Sequence, residues 1–276
     1  MADADATLNK RKGFVFRPIL VPKNNVKAPR YEDLDFGPPP PLPLPPALRG
    51  LFGQEDWTWV GIDIETHDLV PNTVTSWWRP GQFGYVTRLD PDVLTGLRIV
   101  QVGWAYGDFR EGGPMVKERL VRPSGFAITS AAEQKHGISN AVSESEGVPL
   151  REALEEMVGD VAALVRNGAR VCSHNIEFDA GIIAAELDRL DMRETNELWG
   201  QSVSHGVCTM DPEIGHWVRQ QAGIGDKERK TPMRLRDMVS LLLTDSKELL
   251  KAHHSAGGDA RMHWLLCREL WHRARA

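Results

Sequence analysis

Cysteine is scarce in this chain of 276 residues: Cys172, Cys208 and Cys267 stand far apart, with no CxxC pair. That excludes a disulfide framework and a cysteine zinc site, and leaves free thiols suited to a reducing compartment. Long apolar runs are missing too; nothing approaches the roughly 18 consecutive residues of a membrane span, so no membrane association is expected. The opening residues, MADADATLNKRKGF, lack the apolar stretch of a secretory signal and carry early acids. The expectation is an intracellular protein, cytoplasmic or nuclear. An excess of basic charge is absent as well, the formal net charge being −5. Contact with a polyanion would therefore need a local basic patch rather than a basic protein.

Apolar side chains, by contrast, make up 41% of the residues and include nine tryptophans, enough for a sizeable core. Residues 1–50 differ from the rest. Their proline tract (Pro38 to Pro41, Pro43, Pro45, Pro46) favours extended polyproline II, and the residues before it have few apolar anchors. The reading is a proline-rich, largely irregular tail over 1–50 and one folded domain over 51–276. The tract is either a stiff spacer lying on the domain or a docking segment for an SH3- or WW-type partner.

Within the domain, residues 57–65, 97–106 and 117–122 read as strands joined by turn-like intervals, so they should form an antiparallel meander. Residues 150–165 carry apolar side chains at helical spacing and stop at Gly168. A short strand over 170–173 and helices over 178–190, 211–221, 234–243 and 259–271 follow. Three antiparallel strands, then helix–strand–helix, then more helices give an α/β protein with a mixed sheet flanked by helices.

Three acidic segments sit at the ends of these elements. In Asp63-Ile64-Glu65 the two carboxylates alternate with an apolar residue, so both leave the same face of a strand end. Side by side they repel, and a hard divalent cation such as Mg²⁺ or Mn²⁺ suits them. The second segment, His174-Asn175-Ile176-Glu177-Phe178-Asp179, follows the 170–173 strand and opens a helix. In the third, His253-His254-Ser255-Ala256-Gly257-Gly258-Asp259-Ala260, a histidine precedes an aspartate that opens the last helix. Taken singly, each has a plainer reading: a solvated strand end, a helix cap, a surface histidine.

Taken together, DIET (63–66), HNIEFD (174–179) and HHSAGGDA (253–260) resemble the three motifs of the DEDDh 3′→5′ exonucleases, a DnaQ-like family of the ribonuclease H-like superfamily. AEQKHGIS (132–139) and LRIVQVGWA (97–105) resemble further family segments. The tyrosine variant of these enzymes carries Tyr where this chain has Ser255, so the histidine type is implied. The resemblance implies that Asp63, Glu65, Asp179 and Asp259 bind two divalent cations, Mg²⁺ or Mn²⁺. It makes His254 the general base for hydrolysis of nucleic acid from a 3′ end to nucleoside 5′-monophosphates. Ile64 and Thr66 would flank the terminal nucleotide, Asn175 would orient the second-motif loop, and His174 is a further candidate substrate contact. A homodimer is compatible with the resemblance.

Two features depart from the compact pattern. An insertion at about 67–96 holds Trp77, Trp78 and Arg79, which would either stack and grip a single strand or form a small satellite core. A basic patch that includes Lys230 and Arg234 precedes the last motif and would contact the strand backbone, unless it is a solvated helix end. The competing reading is a catalytically silent nuclease fold that binds nucleic acid, or an adaptor acting through the proline tail; the five intact positions speak against it. DNA and RNA are not distinguished by any residue.

Overall fold

In a computed structural model of the protein, the structure describes residues 43–53, 58–70, 91–224 and 232–275. Contacts divide the chain into Met1–Leu34 and Asp35–Ala276, and every described residue belongs to the second unit. Trp77, Trp78, Arg79 and Lys230, like most of the proline tract, lie outside the described residues.

The central strand shows why the acids end up where they do. β1 (Thr58–Thr66) is buried along nearly its whole length, the pattern of a strand covered on both faces. Its even positions Val60, Ile62 and Ile64 enter one apolar cluster, and Trp59 enters another. Asp63 and Glu65 share the Trp59 face by the two-residue period.

Helix α1 (Pro46–Phe52) precedes β1, and helix α2 (Pro91–Gly96) leads into β2 (Ile99–Asp108), which pairs antiparallel with β1. β3 (Met115–Leu120) pairs antiparallel with β2. Two short helices, α3 (Ser130–His136) and α4 (Asn140–Glu146), lead to the long α5 (Leu150–Arg166). β4 (Arg170–Ser173) returns parallel to β1. Helices α6 (Ile176–Arg189) and α7 (Arg193–Val203) follow, and β5 (Val207–Cys208) pairs parallel with β4. Helices α8 (Pro212–Gln221), α9 (Leu235–Leu242), α10 (Ser246–Leu249) and α11 (Ala256–Arg275) complete the chain. The sheet order is β3-β2-β1-β4-β5. This is the expected mixed sheet, three antiparallel strands followed by parallel ones. No helix among the described residues is long and apolar enough to cross a membrane.

One boundary needs correcting. The expected irregular tail reaches residue 50, yet its last residues are helical and buried: Leu44, Leu48 and Phe52 pack with Trp59, Phe109 and Trp264. Pro46 does not prevent this helix because it opens it, at a position whose N–H needs no helical partner. Arg170 and Arg275 tie the helix down by donating to the carbonyls of Leu51 and Phe52. The inserted segment likewise ends in structure, with Leu94 of α2 against Gly181 of α6.

Candidate active site

The site forms where α11 begins, against the middle of the sheet. Two glycines permit the approach. A Cβ at Gly61 would overlap the Ala260 carbonyl, and one at Gly103 would overlap the backbone of Ala256 and Gly257. Gly103 is also the cross-strand partner of Asp63. The first turn of α11 therefore lies directly on the strands that carry the acids. Its N-terminus is held by side chains from both neighbouring strands: Ala256 N–H donates to Gln101 Oε1 (2.9 Å), and Gly257 N–H and Ser255 Oγ donate to Glu118 Oε2 (3.2 and 2.9 Å). Replacing Gly103 with alanine should push the helix off the sheet, lowering stability by about 1–3 kcal/mol, the usual scale of overpacking. Thermal melts of Gly103→Ala beside the wild type will show it.

This docking brings three carboxylates together. Ligand oxygens of Asp63, Glu65 and Asp259 lie within 4.8 Å of one another. Asp179 joins them from the first turn of α6, 2% exposed. Its Oδ1 accepts from Ile64 N–H (3.2 Å) and its Oδ2 from Ser173 Oγ (2.5 Å). Asn175 turns the chain from β4 into α6 in a left-handed conformation (φ 79°), with its carbonyl accepting from Phe178 N–H.

Crowding and burial govern the charge of these acids. Burial, then Asp179, Asp259 and Glu65, hold the Asp63 carboxyl well above the ordinary range. Burial and the Asp259 charge push Glu65 up to about 8. Asp179 rises to about 7, chiefly by burial, although its hydrogen bonds to Ser173 and Ile64 pull the other way. Such a cluster is an electrostatic demand for a cation. Lys135, exposed on the last turn of α3, answers part of it by favouring the charged forms of Asp63 and Glu65.

The histidines divide into roles that sequence did not separate. His254 has a left-handed backbone (φ 69°) and its ring stacks on His253, with centroids 3.8 Å apart. Burial and the neighbouring His253 push its pKa down to about 4, so the ring is a free base at neutral pH. His253 is the one whose ring touches Asp259, with Nδ1 at 2.9 Å from Oδ1. Ligand atoms of His253, His254 and Asp259 also lie within 4.8 Å of one another.

His174 is partly buried at the end of β4, where both ring nitrogens meet the protein. Burial pushes its pKa down to about 3, so it is neutral: Nε2–H donates to the Met233 carbonyl (2.9 Å) and Nδ1 accepts from the Thr209 hydroxyl (2.9 Å). Both nitrogens are thus engaged within the chain. Ile64 lies inward. Its side chain is 4% exposed and packs in the core, because the strand period sends it to the face opposite the acids, and only its N–H serves the site. Thr66 is held at the strand end, its hydroxyl donating to the Asp68 carbonyl (2.8 Å) and its own carbonyl 3.3 Å from His136 Nε2. Arg234 is exposed at the start of α9, and Arg236, two residues further, acts electrostatically on His254.

Beneath Asp63 sits a residue with no signal in the motifs. His263, on α11 one turn after Asp259, is fully buried. Its Nδ1–H donates to the Ile62 carbonyl (2.9 Å), and its Nε2 lies 3.9 Å from Asp63 Oδ1.

Comparison with solved structures bears on the fold. A structure of exonuclease I matches with a TM-score of 0.50 at 14% identity, over 77% of this chain and 40% of that one. The chain shares the fold of that structure. Exonuclease I from Methylocaldum szegediense is similar at 17% identity and a TM-score of 0.49, over 77% of this chain and 40% of that one. Pop2p of S. pombe, in a form with Mg²⁺ and Mn²⁺ bound, is similar at 13% identity and a TM-score of 0.45, over 81% and 86% of the two chains. The chain thus spans about two fifths of the exonuclease I structures it matches. No protein-family model and no curated protein matches it. In this chain Asp63 and Glu65 lie on β1, the middle strand of the sheet, against which the start of α11 packs.

Proposed function

We propose that the protein is a metal-dependent 3′→5′ exonuclease that hydrolyses phosphodiesters of a nucleic-acid strand from its 3′ end. The observation that carries this reading is the convergence of Asp63, Glu65 and Asp259 within 4.8 Å, with Asp179 pinned beside them. The residues fit a divalent ion: the donors are hard carboxylate oxygens, which suit Mg²⁺ and Mn²⁺, and three of them crowd within 4.8 Å of one another.

Asp63, Glu65, Asp179 and Asp259 would hold two such ions. When bound, they supply Lewis-acid stabilisation of the charge that develops on the phosphate and on the leaving oxygen. The chain's own residues do the rest. A ring nitrogen of His254, unprotonated at neutral pH, takes a proton from the attacking water. A new phosphorus–oxygen bond forms, the bond to the 3′ oxygen breaks, and that oxygen takes a proton from solvent, leaving a nucleoside 5′-monophosphate. His253 holds Asp259 in place by its ring contact. Lys135 and Arg236 add positive potential where a phosphate backbone would approach.

The direct test is a digestion series. Incubated with Mn²⁺ or Mg²⁺, the protein should shorten 5′-labelled single-stranded DNA or RNA into a ladder, and Asp63→Ala should produce none. Parallel single- and double-stranded DNA and RNA lanes identify the substrate. No product in any lane, with either ion, would sink the proposal.

A further inference from the structure

A cavity of about 360 Å³ lies where the loop after β3 meets the first turn of α5 and the end of α6. That volume falls at the small end of ligand pockets, about 300–1,000 Å³, and suits one small molecule. Helices α5 and α6 pack on the face of β1 that carries Val60, Ile62 and Ile64, opposite the acids. The cavity shares no lining residue with the acidic site. Its walls carry three guanidinium groups, Arg98, Arg122 and Arg151, and no carboxylate. In a chain of formal net charge −5 that is a local reversal of sign.

These cations are only partly balanced. Arg98 Nε donates to Glu186 (2.8 Å), but that carboxylate also takes Arg189, one negative charge between two positive ones. Arg151 donates to the Leu190 carbonyl (2.7 Å) and meets Glu155 only at 3.8 Å, both side chains more than half exposed. The side chain of Arg122 has no hydrogen bond or ion pair among the described residues. Between the charges the walls are apolar, with Val121, Phe126 and Leu190, and the Arg98 guanidinium lies over the Phe126 ring at 4.7 Å. Backbone bonds tie the frame down: Arg122 N–H donates to the Val148 carbonyl (2.8 Å), and Ser143 Oγ donates to the Val121 carbonyl (2.6 Å).

We propose that this cavity binds a nucleoside monophosphate, its phosphate on Arg122 and Arg151 and its base against the apolar wall beside Phe126. Forked guanidinium donors match phosphate oxygens in geometry as well as charge. An inorganic anion would leave the apolar wall wet, and an uncharged ring would leave the cations unmatched. A nucleotide brings both parts in one molecule of this size. The inference goes beyond the hydrolytic reading and does not need it.

The test is calorimetric titration of the full chain with adenosine 5′-monophosphate in chelator, so that no metal carries the phosphate to the acids. The wild type should bind one equivalent. Adenosine and orthophosphate should each bind at least about tenfold more weakly, the scale of one lost charge-assisted hydrogen bond. Arg122 and Arg151 are exposed, so Arg122→Gln and Arg151→Gln should melt near the wild-type temperature. Each should weaken the nucleotide about tenfold, and the double variant more. Arg166→Gln, at the other end of α5, should leave binding unchanged. No binding by the wild type, or binding that the double variant keeps, overturns the proposal. Orthophosphate binding as tightly as the nucleotide overturns the nucleotide assignment. Nucleotide binding beside an empty digestion series would leave this pocket standing and sink only the hydrolytic reading, because the titration uses no metal.

Discussion

His254→Ala should lower turnover on a single-stranded substrate by about 10²–10⁴-fold, the range that a positioned general base contributes, while Mn²⁺ affinity stays within a few-fold of wild type. Burial and the adjacent His253 push His254 down to about 4, so at pH 7 nearly every molecule carries the free base. The ring is half-buried and stacked on His253, which fixes where a proton can be received. Removing it leaves hydroxide from solution as the remaining base, so the variant's rate should climb with pH where the wild type has levelled off. His253→Ala should behave differently. Its ring holds Asp259 at 2.9 Å, so that variant should lose metal affinity first and recover activity at high Mn²⁺. Digestion by purified His254→Ala at the wild-type rate would show that the base lies elsewhere.

The contrast between the two histidines also shows how far the sequence could be read. Asp63, Glu65, Asp179, Asp259 and His254 could be singled out as candidates because DIET, HNIEFD and HHSAGGDA together resemble the motifs of one exonuclease family, although each segment alone has a plainer reading. β1, β2, β4, α5 and α6 were legible because their apolar periods are strong over short windows. His253 was not separable from His254, because only the left-handed turn at His254 decides which ring meets Asp259. Gly61, Gly103, Gln101 and Glu118 matter through the crossing of α11 over β1 and β2, a contact between residues more than a hundred positions apart. Lys135 sat inside a segment already singled out, but nothing local said that its charge reaches the carboxylates. Helix α1 was hidden by its prolines, whose usual message is extended chain. Its buried side, Leu44, Leu48 and Phe52, becomes meaningful only against Trp59 and Trp264.

In chelator, the melting temperature should fall as pH rises from about 6.5 to about 8.5, and saturating Mn²⁺ should remove most of that fall. Glu65 and Asp179 titrate near 8 and 7 in the folded chain, against ordinary values of 4.5 and 3.8, and burial is the first cause for both. A folded carboxyl that holds its proton more tightly than the unfolded chain stabilises the fold at low pH, and that contribution is lost as pH climbs through the folded value. The buried histidines act in the opposite sense at lower pH. His174, His254 and His263 are pushed down to about 3, 4 and 4 from 6.5, so the unfolded chain binds their protons first and stability rises with pH up to about 6.5. The two effects oppose each other below that point, and only the carboxylates act above it. The alkaline fall is therefore the clean signature of the acidic cluster. A drop of at least about 5 °C is expected, since a change of 1 kcal/mol moves a chain of this size by roughly 2–4 °C. Glu65→Gln should shrink the drop, because it removes one of the charges that later ionisations must face. Bound Mn²⁺ should abolish it by supplying the positive charge that the protons had been providing. A melting temperature that stays level from 6.5 to 8.5 in chelator would mean that the carboxylates do not repel one another as their burial and proximity require.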